Sequence, residues 1–215
     1  MFESWIETFR LYRCERFPLR IFALVAVVLT LAAFVEGIPH DWFEVLLSWM
    51  ASVLLLLQFR IWDDLGDRNH DAAHHPDRVL SRCHRVSAFY VLLAFTGLSN
   101  WIVLLLLGHS TIPFLLVCAA ASFWYTHVDG ALRRGIAGRH VLLLKYPVFV
   151  WLIAPSHPPE LISSMAIVYL SGAIYELLHD REIRSRPQAR LLVAIEVCAL
   201  GGIAAVVLRI LGESL

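Results

Sequence analysis

Seven long apolar runs constrain the fold of this chain more than any other feature. Crossing the hydrocarbon core of a bilayer requires about 20 mostly apolar residues, with roughly 17 as the lower limit. Hydrophobic residues form 59% of the 215-residue sequence, and its mean hydropathy is +0.67, far above that of a soluble domain. The sequence therefore predicts an all-α, polytopic transmembrane helix bundle. The predicted spans are residues 21–38, 43–59, 86–107, 112–125, 141–154, 161–178 and 191–208.

Between the predicted spans, arginines occur only in alternate segments. Residues 1–20, 60–85, 126–140 and 179–190 contain all of the arginines except Arg209, which follows the seventh span. The intervening segments, residues 39–42, 108–111 and 155–160, contain neither lysine nor arginine. Because positive charge favours the cytoplasmic side, this pattern predicts a cytoplasmic N-terminus and three cytoplasmic loops. We expect a single transmembrane domain over residues 1–215, in the inner (plasma) membrane of a bacterium.

The N-terminal segment has its own amphipathic pattern. Phe2, Trp5, Ile6 and Phe9 fall at helical spacing, with charged residues between them. This pattern predicts an interfacial helix on the cytoplasmic leaflet within residues 1–20. The first apolar run follows a stretch of mixed charge, so we interpret it as an uncleaved span.

Four carboxylates occur within nine residues after the second span. If the segment is helical, Asp64, Asp67 and Asp71, which are spaced i, i+3 and i+7, point to one side. Burying such a cluster near a membrane is costly unless a cation neutralises it. Mg²⁺ prefers oxygen ligands and usually binds together with substrate phosphates. The cluster therefore predicts a Mg²⁺ site for a phosphate-bearing substrate, with a solvated acidic loop as the alternative. Its members are Asp63, Asp64, Asp67 and Asp71.

The acidic run also resembles a family signature. The UbiA superfamily of intramembrane prenyltransferases has a first motif of the form Asn-Asp-x-x-Asp-x-x-x-Asp, followed by Arg-Pro-Leu, after its second helix. The corresponding residues here are Asp63-Asp64-x-x-Asp67-x-x-x-Asp71 and Arg78-Val79-Leu80. Asp63 stands at the asparagine position and Val79 at the proline position. The resemblance implies a UbiA-like fold, with fewer spans than the family usually has.

A second acidic motif is expected after the sixth span. The run Asp180-Arg181-Glu182 is similar to the start of the family's second motif, but Arg184 stands where the final aspartate is expected. Glu176 and Asp180 are spaced i, i+4, so they would form a carboxylate pair on one helical face. The resemblance implies that this pair binds a second ion or orients the first. An ordinary helix end with capping charges is the alternative.

Three arginines and one lysine are the predicted diphosphate ligands. Tyr125 and Arg133-Arg134 look like the family's tyrosine and basic pair after helix four, and the resemblance places these arginines and Arg78 on the diphosphate. Arginine forks also suit phosphate oxygens on chemical grounds. Lys145 is the only lysine and lies inside an apolar run, where an ionisable group needs a polar partner. The alternatives are that the arginines only enforce topology and that Lys145 extends to the interface.

The resemblance implies a Mg²⁺-dependent enzyme that transfers an isoprenyl group from a polyprenyl diphosphate to an acceptor. Asp64, Asp67 and Asp71 would be the catalytic residues. The metal would be held by Asp63, Asp64, Asp67, Asp71, Glu176 and Asp180. Tyr125 and Tyr175 would stabilise an allylic cation by cation–π contact, although aromatics at helix ends also serve as interface anchors. The expected partners are the bilayer, an isoprenyl diphosphate and an acceptor but no nucleic acid, and a homo-oligomer is left open.

Three other functions are compatible with the sequence. A UbiA-type terpene cyclase or a phosphosugar–polyprenyl transferase would use the same first motif. A non-catalytic isoprenoid-binding or accessory membrane protein would tolerate Arg184 in the second motif. A CDP-alcohol phosphotransferase is the third, because Asp129-Gly130 and Arg133 are similar to the start of its motif, although its later aspartates are absent after Arg139.

Overall fold

The computed structural model describes residues 5–83, 85–179 and 187–213 and shows a bundle of α-helices. The helices of this described part are α1 (Trp5–Arg16), α2 (Leu19–Ala33), α3 (Trp42–Gly66), α4 (Arg68–His74), α5 (Val79–Arg82), α6 (Val86–Leu106), α7 (Ile112–His127), α8 (Gly130–Arg134), α9 (Ile136–Leu143), α10 (Lys145–Ile153), α11 (Pro159–His179) and α12 (Pro187–Glu213).

Several helices are long and apolar enough to cross a membrane. Among the described residues these are α3, α6, the continuous pair α9–α10 and α11. Helices α1 and α2 would form a fifth span together, but the chain bends by 63° between them. Pro18 lies at this bend, where its fixed φ and missing N–H favour the end of one helix and the start of the next. The all-α helical class is thus confirmed, and four candidate spans, or five with the bent pair, are found among the described residues. The seven spans stay a prediction.

Helix α3 lies at the centre of the bundle and packs most extensively against α6 and α2. Leu55 of α3 and Phe149 of α10 are fully buried in the main core. Polar pairs also join the helices: Asn100 Nδ2 donates to Gln58 Oε1 at 2.8 Å. Such hydrogen bonds connect helices in an apolar surrounding, where no water competes.

A cluster of three polar side chains joins helices α9, α11 and α12. His140 Nδ1 of α9 lies 3.0 Å from the Tyr169 hydroxyl of α11 and 3.6 Å from Glu196 Oε1 of α12. Both His140 and Glu196 have a further side-chain atom that is buried without a hydrogen-bond partner. The group therefore connects three helices but leaves part of its hydrogen-bonding capacity unused.

The predicted cytoplasmic loops are more helical than expected. Helix α3 continues past the predicted end of the second span to Gly66, so Asp63 and Asp64 lie on its last turn. The rest of residues 60–85 includes the short helices α4 and α5, and residues 126–140 include α8 and the start of α9. Helix α8 begins at Asp129, whose carboxylate accepts hydrogen bonds from two backbone N–H groups of its first turn, the usual N-cap arrangement.

Candidate functional site

A polar cavity of about 900 Å³ lies where α3 ends and α4 begins. Six arginines and five carboxylates face it, together with three histidines and one leucine. The lining residues are Arg16, Arg60, Asp63, Asp64, Asp67, His70, Asp71, His75, Arg78, Arg133, Arg134, Arg139, Leu142, Glu176 and His179. Opposite charges are thus nearly balanced around one opening, on a bundle whose other surfaces are mostly apolar.

Asp64 is the most completely partnered carboxylate of the acidic run. Tyr12 donates its hydroxyl to Asp64 Oδ2 at 2.8 Å, and Arg16 Nε lies 3.2 Å from both carboxylate oxygens. Arg60, one turn earlier on α3, approaches Asp64 Oδ2 to 3.3 Å. Asp64 is only 4% exposed. This carboxylate therefore attaches helix α1 to the end of α3.

Asp63 faces a different set of partners. Lys145 of α10 donates to Asp63 Oδ2, and the Tyr125 hydroxyl of α7 donates to Asp63 Oδ1. Each oxygen of Asp63 thus has a protein donor. The two adjacent aspartates extend toward different helices, because neighbouring positions on a helix point about 100° apart.

Asp67 lies beside a buried arginine but is poorly satisfied. Arg133 Nη2 is 3.4 Å from Asp67 Oδ1, and that oxygen has no hydrogen-bond partner. Burial raises the pKa of Asp67, while the nearby Arg133 opposes this rise. Asp63 and Asp71 also raise it, because their charges repel a third carboxylate. Asp67 is therefore the carboxylate of the run that would gain most from an added cation.

Arg133 is the least satisfied cation of the site. It is 6% exposed, and its Nη2 donates to the backbone oxygen of Gly66 at 3.0 Å. Its Nε and Nη1 are buried without a hydrogen-bond partner. A buried guanidinium with unused donors is costly, so these nitrogens indicate a place for an acceptor such as a phosphate oxygen.

Two further ion pairs lie around the cavity. Arg78 Nη1 donates to Asp71 Oδ1, and Arg139 Nη1 donates to Glu176 Oε1 at 3.0 Å. The predicted diphosphate ligands Arg78, Arg133 and Arg134 all line the cavity, as do the predicted metal ligands of the first motif and Glu176.

Three of the predicted site residues do not line the cavity. Tyr175 is 62% exposed and stacks on His179 rather than facing the cavity. Lys145 and Tyr125 contact Asp63 from behind the cavity wall. Asp180, with the rest of the predicted second motif after it, lies outside the described residues.

The carboxylates of the cavity suit a Mg²⁺ ion that is bound together with substrate phosphates and water. Within the described ranges, no group of three His, Cys, Asp or Glu side chains is arranged to hold an ion. Mg²⁺, however, is usually held by one or two carboxylates, with waters and substrate phosphates completing its coordination. Asp67, with one unpartnered oxygen, fits that role best, and Asp71, whose Oδ1 accepts from Arg78, is the second candidate ligand. Asp63 and Asp64 are already compensated by protein cations.

Two contributions to the site had not been predicted. Gly66 lies so close to Tyr125 and Arg133 that an added Cβ would approach Tyr125 Cδ1 to 2.6 Å and Arg133 Nη1 to 2.9 Å. A glycine inside an acidic motif is a detectable signal of close packing. Arg16, the partner of Asp64, lies 48 positions away in the sequence, and no local pattern links them.

No protein-family model, curated protein or solved structure matches this chain. The resemblance to the UbiA superfamily thus depends on the motif residues alone and stays a prediction.

Proposed function

We propose that the protein is a UbiA-like integral membrane prenyltransferase that transfers an isoprenyl group from a polyprenyl diphosphate to an acceptor with the help of Mg²⁺. The observation that supports it is the cavity at the end of α3. Carboxylates suited to a hard cation and arginines suited to phosphate line the same opening, and both Asp67 and Arg133 there have buried atoms without hydrogen-bond partners.

The charge distribution favours a diphosphate together with a divalent cation. A lone anion would meet five carboxylates, and a lone cation would meet six arginines. A metal–diphosphate complex offers both signs at once, so each wall finds an opposite charge. Arginine donors and carboxylate ligands then act on different parts of one ligand.

In the proposed reaction the C–O bond of an allylic diphosphate breaks, and both bonding electrons leave with the diphosphate. Bound Mg²⁺ would neutralise phosphate oxygens. Arg78, Arg133 and Arg134 stabilise the charge that develops on the leaving group by donating to its oxygens. The acceptor then forms a bond to the allylic carbon and loses a proton to the released diphosphate. Asp67 and Asp71 hold the cation side of the complex.

A smaller pocket next to the cavity is the place that we propose for the allylic end of the substrate. It has a volume of about 50 Å³ and shares Arg60 and Asp63 with the cavity. Phe22, Phe59 and Phe149 are among its lining residues, as is Lys145. Exclusion of water by these rings would protect a carbocation from hydrolysis. Tyr125 is less suited to stabilise that cation, since Arg133 already lies 5.4 Å from the centroid of its ring.

The membrane arrangement belongs to the same proposal. Seven spans with a cytoplasmic N-terminus would place the cavity on the cytoplasmic side of a bacterial inner membrane, as the distribution of arginines predicts. The prenyl tail would then extend into the bilayer while the diphosphate stays at the aqueous interface.

Thermal stability of the detergent-purified protein tests the binding step. We expect a shift with Mg²⁺ and geranylgeranyl diphosphate together that exceeds the sum of the separate shifts, because a ligand bound to the native state raises its stability. Asp67→Ala should remove the joint effect. Asp77→Ala is the matched control, since the Asp77 side chain is 91% exposed and lies away from the cavity. No joint shift in the wild type would refute the proposed site.

A non-catalytic isoprenoid-binding protein is the second candidate. It is favoured by Asp63 and Asp64, whose charges are compensated by protein cations without any metal. Release of inorganic diphosphate from geranylgeranyl diphosphate, followed with and without a pool of aromatic acceptors, separates the two. Acceptor-dependent release supports the transferase, and release without an acceptor supports a cyclase. Binding without release under either condition supports the non-catalytic protein.

A further inference from the structure

Lys145 and Asp63 form an ion pair behind the cavity wall. Tyr125 contacts both Asp63 of this pair and Arg133, one of the arginines that line the cavity. We propose that this pair is a positioning device that holds Tyr125, and through Tyr125 the guanidinium of Arg133, in the orientation that receives a diphosphate. Lys145 then acts through Asp63 and does not contact phosphate itself. The last step depends on the proposed function, whereas the ion pair and its effect on Tyr125 do not.

The position of Lys145 is the first observation. It begins α10, inside a predicted span, and its side chain is 15% exposed. It is absent from the lining of the large cavity and instead lines the smaller pocket, which Phe22 and Phe149 also line. A charged amine in such surroundings requires a close partner, and its Nζ donates to Asp63 Oδ2.

The second observation is the other oxygen of Asp63. The Tyr125 hydroxyl donates to Asp63 Oδ1, so the carboxylate joins α10 and α7 to the last turn of α3. If the lysine were removed, Asp63 would be a poorly compensated buried charge. It would then turn toward another cation of the cavity, which alters the hydrogen bond that holds Tyr125.

The third observation is the contact between Tyr125 and Arg133. The Arg133 guanidinium carbon lies 5.4 Å from the centroid of the Tyr125 ring. Gly66 leaves room for both side chains, and its backbone oxygen accepts from Arg133 Nη2 at 3.0 Å. The ring and this carbonyl thus determine where Arg133 Nε and Nη1 lie, and these are the nitrogens without partners.

A double-mutant cycle tests the device. The variants are Lys145→Met, Asp63→Asn and the two combined. They are compared by thermal stability without ligand and by calorimetric affinity for inorganic pyrophosphate in the presence of Mg²⁺. Each single variant should melt earlier and bind pyrophosphate about tenfold more weakly, a typical coupling energy for residues in one network. The double variant should recover the melting temperature and most of the affinity, because Asn still accepts from Tyr125 and no charge is left unpaired.

The recovery separates positioning from direct contact. If Lys145 contacted phosphate itself, the double variant would bind as weakly as Lys145→Met, and the proposal would be overturned. Strictly additive losses in melting temperature would overturn it as well. Tyr125→Phe keeps the ring and should bind pyrophosphate better than Tyr125→Leu, and equal affinities of these two variants would refute the link to Arg133. If a single variant fails to fold, the double variant is compared directly with the wild type.

An exposed ion pair supplies the control. Arg82 and Asp77 form a salt bridge in which the side chains are 53% and 91% exposed, so the cycle Arg82→Met, Asp77→Asn should show no coupling. A wild-type protein that does not bind pyrophosphate would refute the proposed function. In that case the thermal-stability cycle still decides whether the Lys145–Asp63 pair holds this part of the bundle.

Discussion

Replacement of Gly66 by alanine is the smallest change that should disturb the site. Gly66 ends α3, and its φ is not positive, unlike those of Gly37 and Gly108, so alanine can adopt its backbone conformation. The obstacle is steric. An added Cβ would approach Tyr125 Cδ1 to 2.6 Å and Arg133 Nη1 to 2.9 Å, and real Cβ contacts are essentially never shorter than about 3 Å.

The cost follows from which atoms must move. The Tyr125 side chain cannot move aside freely, because its hydroxyl donates a hydrogen bond to Asp63. Inserting a methyl group into a packed site costs about 1–3 kcal/mol, and alanine regains about 0.5–1 kcal/mol of helix preference. We therefore expect a net destabilisation of about 1 kcal/mol. If Arg133 moves and loses one charge-assisted hydrogen bond to phosphate, about 1.5–3 kcal/mol of binding is lost, or roughly ten- to a hundredfold in affinity.

Gly172→Ala is the matched control for this variant. Gly172 lies within α11, and an added Cβ there would meet Leu143 at 3.8 Å and Tyr146 at 3.9 Å, which are ordinary contacts. This variant should be slightly stabilised by the helix preference of alanine and should bind pyrophosphate as the wild type does. Thermal melts and calorimetric titration with Mg²⁺ and pyrophosphate would be run on both variants in the same detergent.

A particular result would refute the reasoning. If Gly66→Ala binds pyrophosphate with unchanged affinity, the position of Arg133 does not control the ligand. If both glycine variants lose affinity equally, the loss arises from a general property of the detergent-solubilised bundle rather than from the contact with Tyr125.

Three further predictions concern the acidic run and the topology. Burial raises the pKa of Asp67, so the native protein binds a proton at this carboxyl more tightly than the unfolded chain does. The contribution of Asp67 to stability should therefore fall as the pH rises above about 4 and through the raised pKa. Asp67→Asn should abolish that fall in thermal melts across the pH range. Asp64→Asn should cost about 3 kcal/mol in denaturant unfolding, because it breaks a buried ion pair, and a cost below about 0.5 kcal/mol would contradict this attachment of α1. The third prediction concerns topology and is tested after the exposed native cysteines are replaced. A membrane-impermeant thiol reagent should label Asp77→Cys only from the cytoplasmic side and His157→Cys only from the opposite side. Labelling of both variants from one side would refute the topology.

Much of the candidate site could be anticipated because its signals are local. The spacing of Asp63, Asp64, Asp67 and Asp71 is visible in nine residues, and all four line one cavity. The arginines at positions 78, 133 and 134 were singled out by the resemblance to the UbiA motifs and by the affinity of arginine for phosphate, and they also line it. The binding of Mg²⁺ or diphosphate there stays a prediction.

The partners of each aspartate could not be anticipated. Pairing of Asp64 with Arg16, and of Asp63 with Lys145, joins residues 48 and 82 positions apart. Such contacts depend on how α1 and α10 pack beside α3, which periodicity does not reveal. Three of the four carboxylates have a close ion pair with a protein cation, namely Asp63, Asp64 and Asp71, and these pairs distinguish them from Asp67.

The sequence by itself determined the helical class and the membrane environment, since long apolar runs can satisfy their backbone hydrogen bonds in lipid only as helices or closed barrels, and a run of about 20 apolar residues suits a helix. It also determined which charges are available. Only the tertiary structure decided that Lys145 compensates Asp63 and that Gly66 makes room for Tyr125 and Arg133. Ion pairing and steric fit depend on distances of a few ångströms between separate helices, and those distances are properties of the packed bundle.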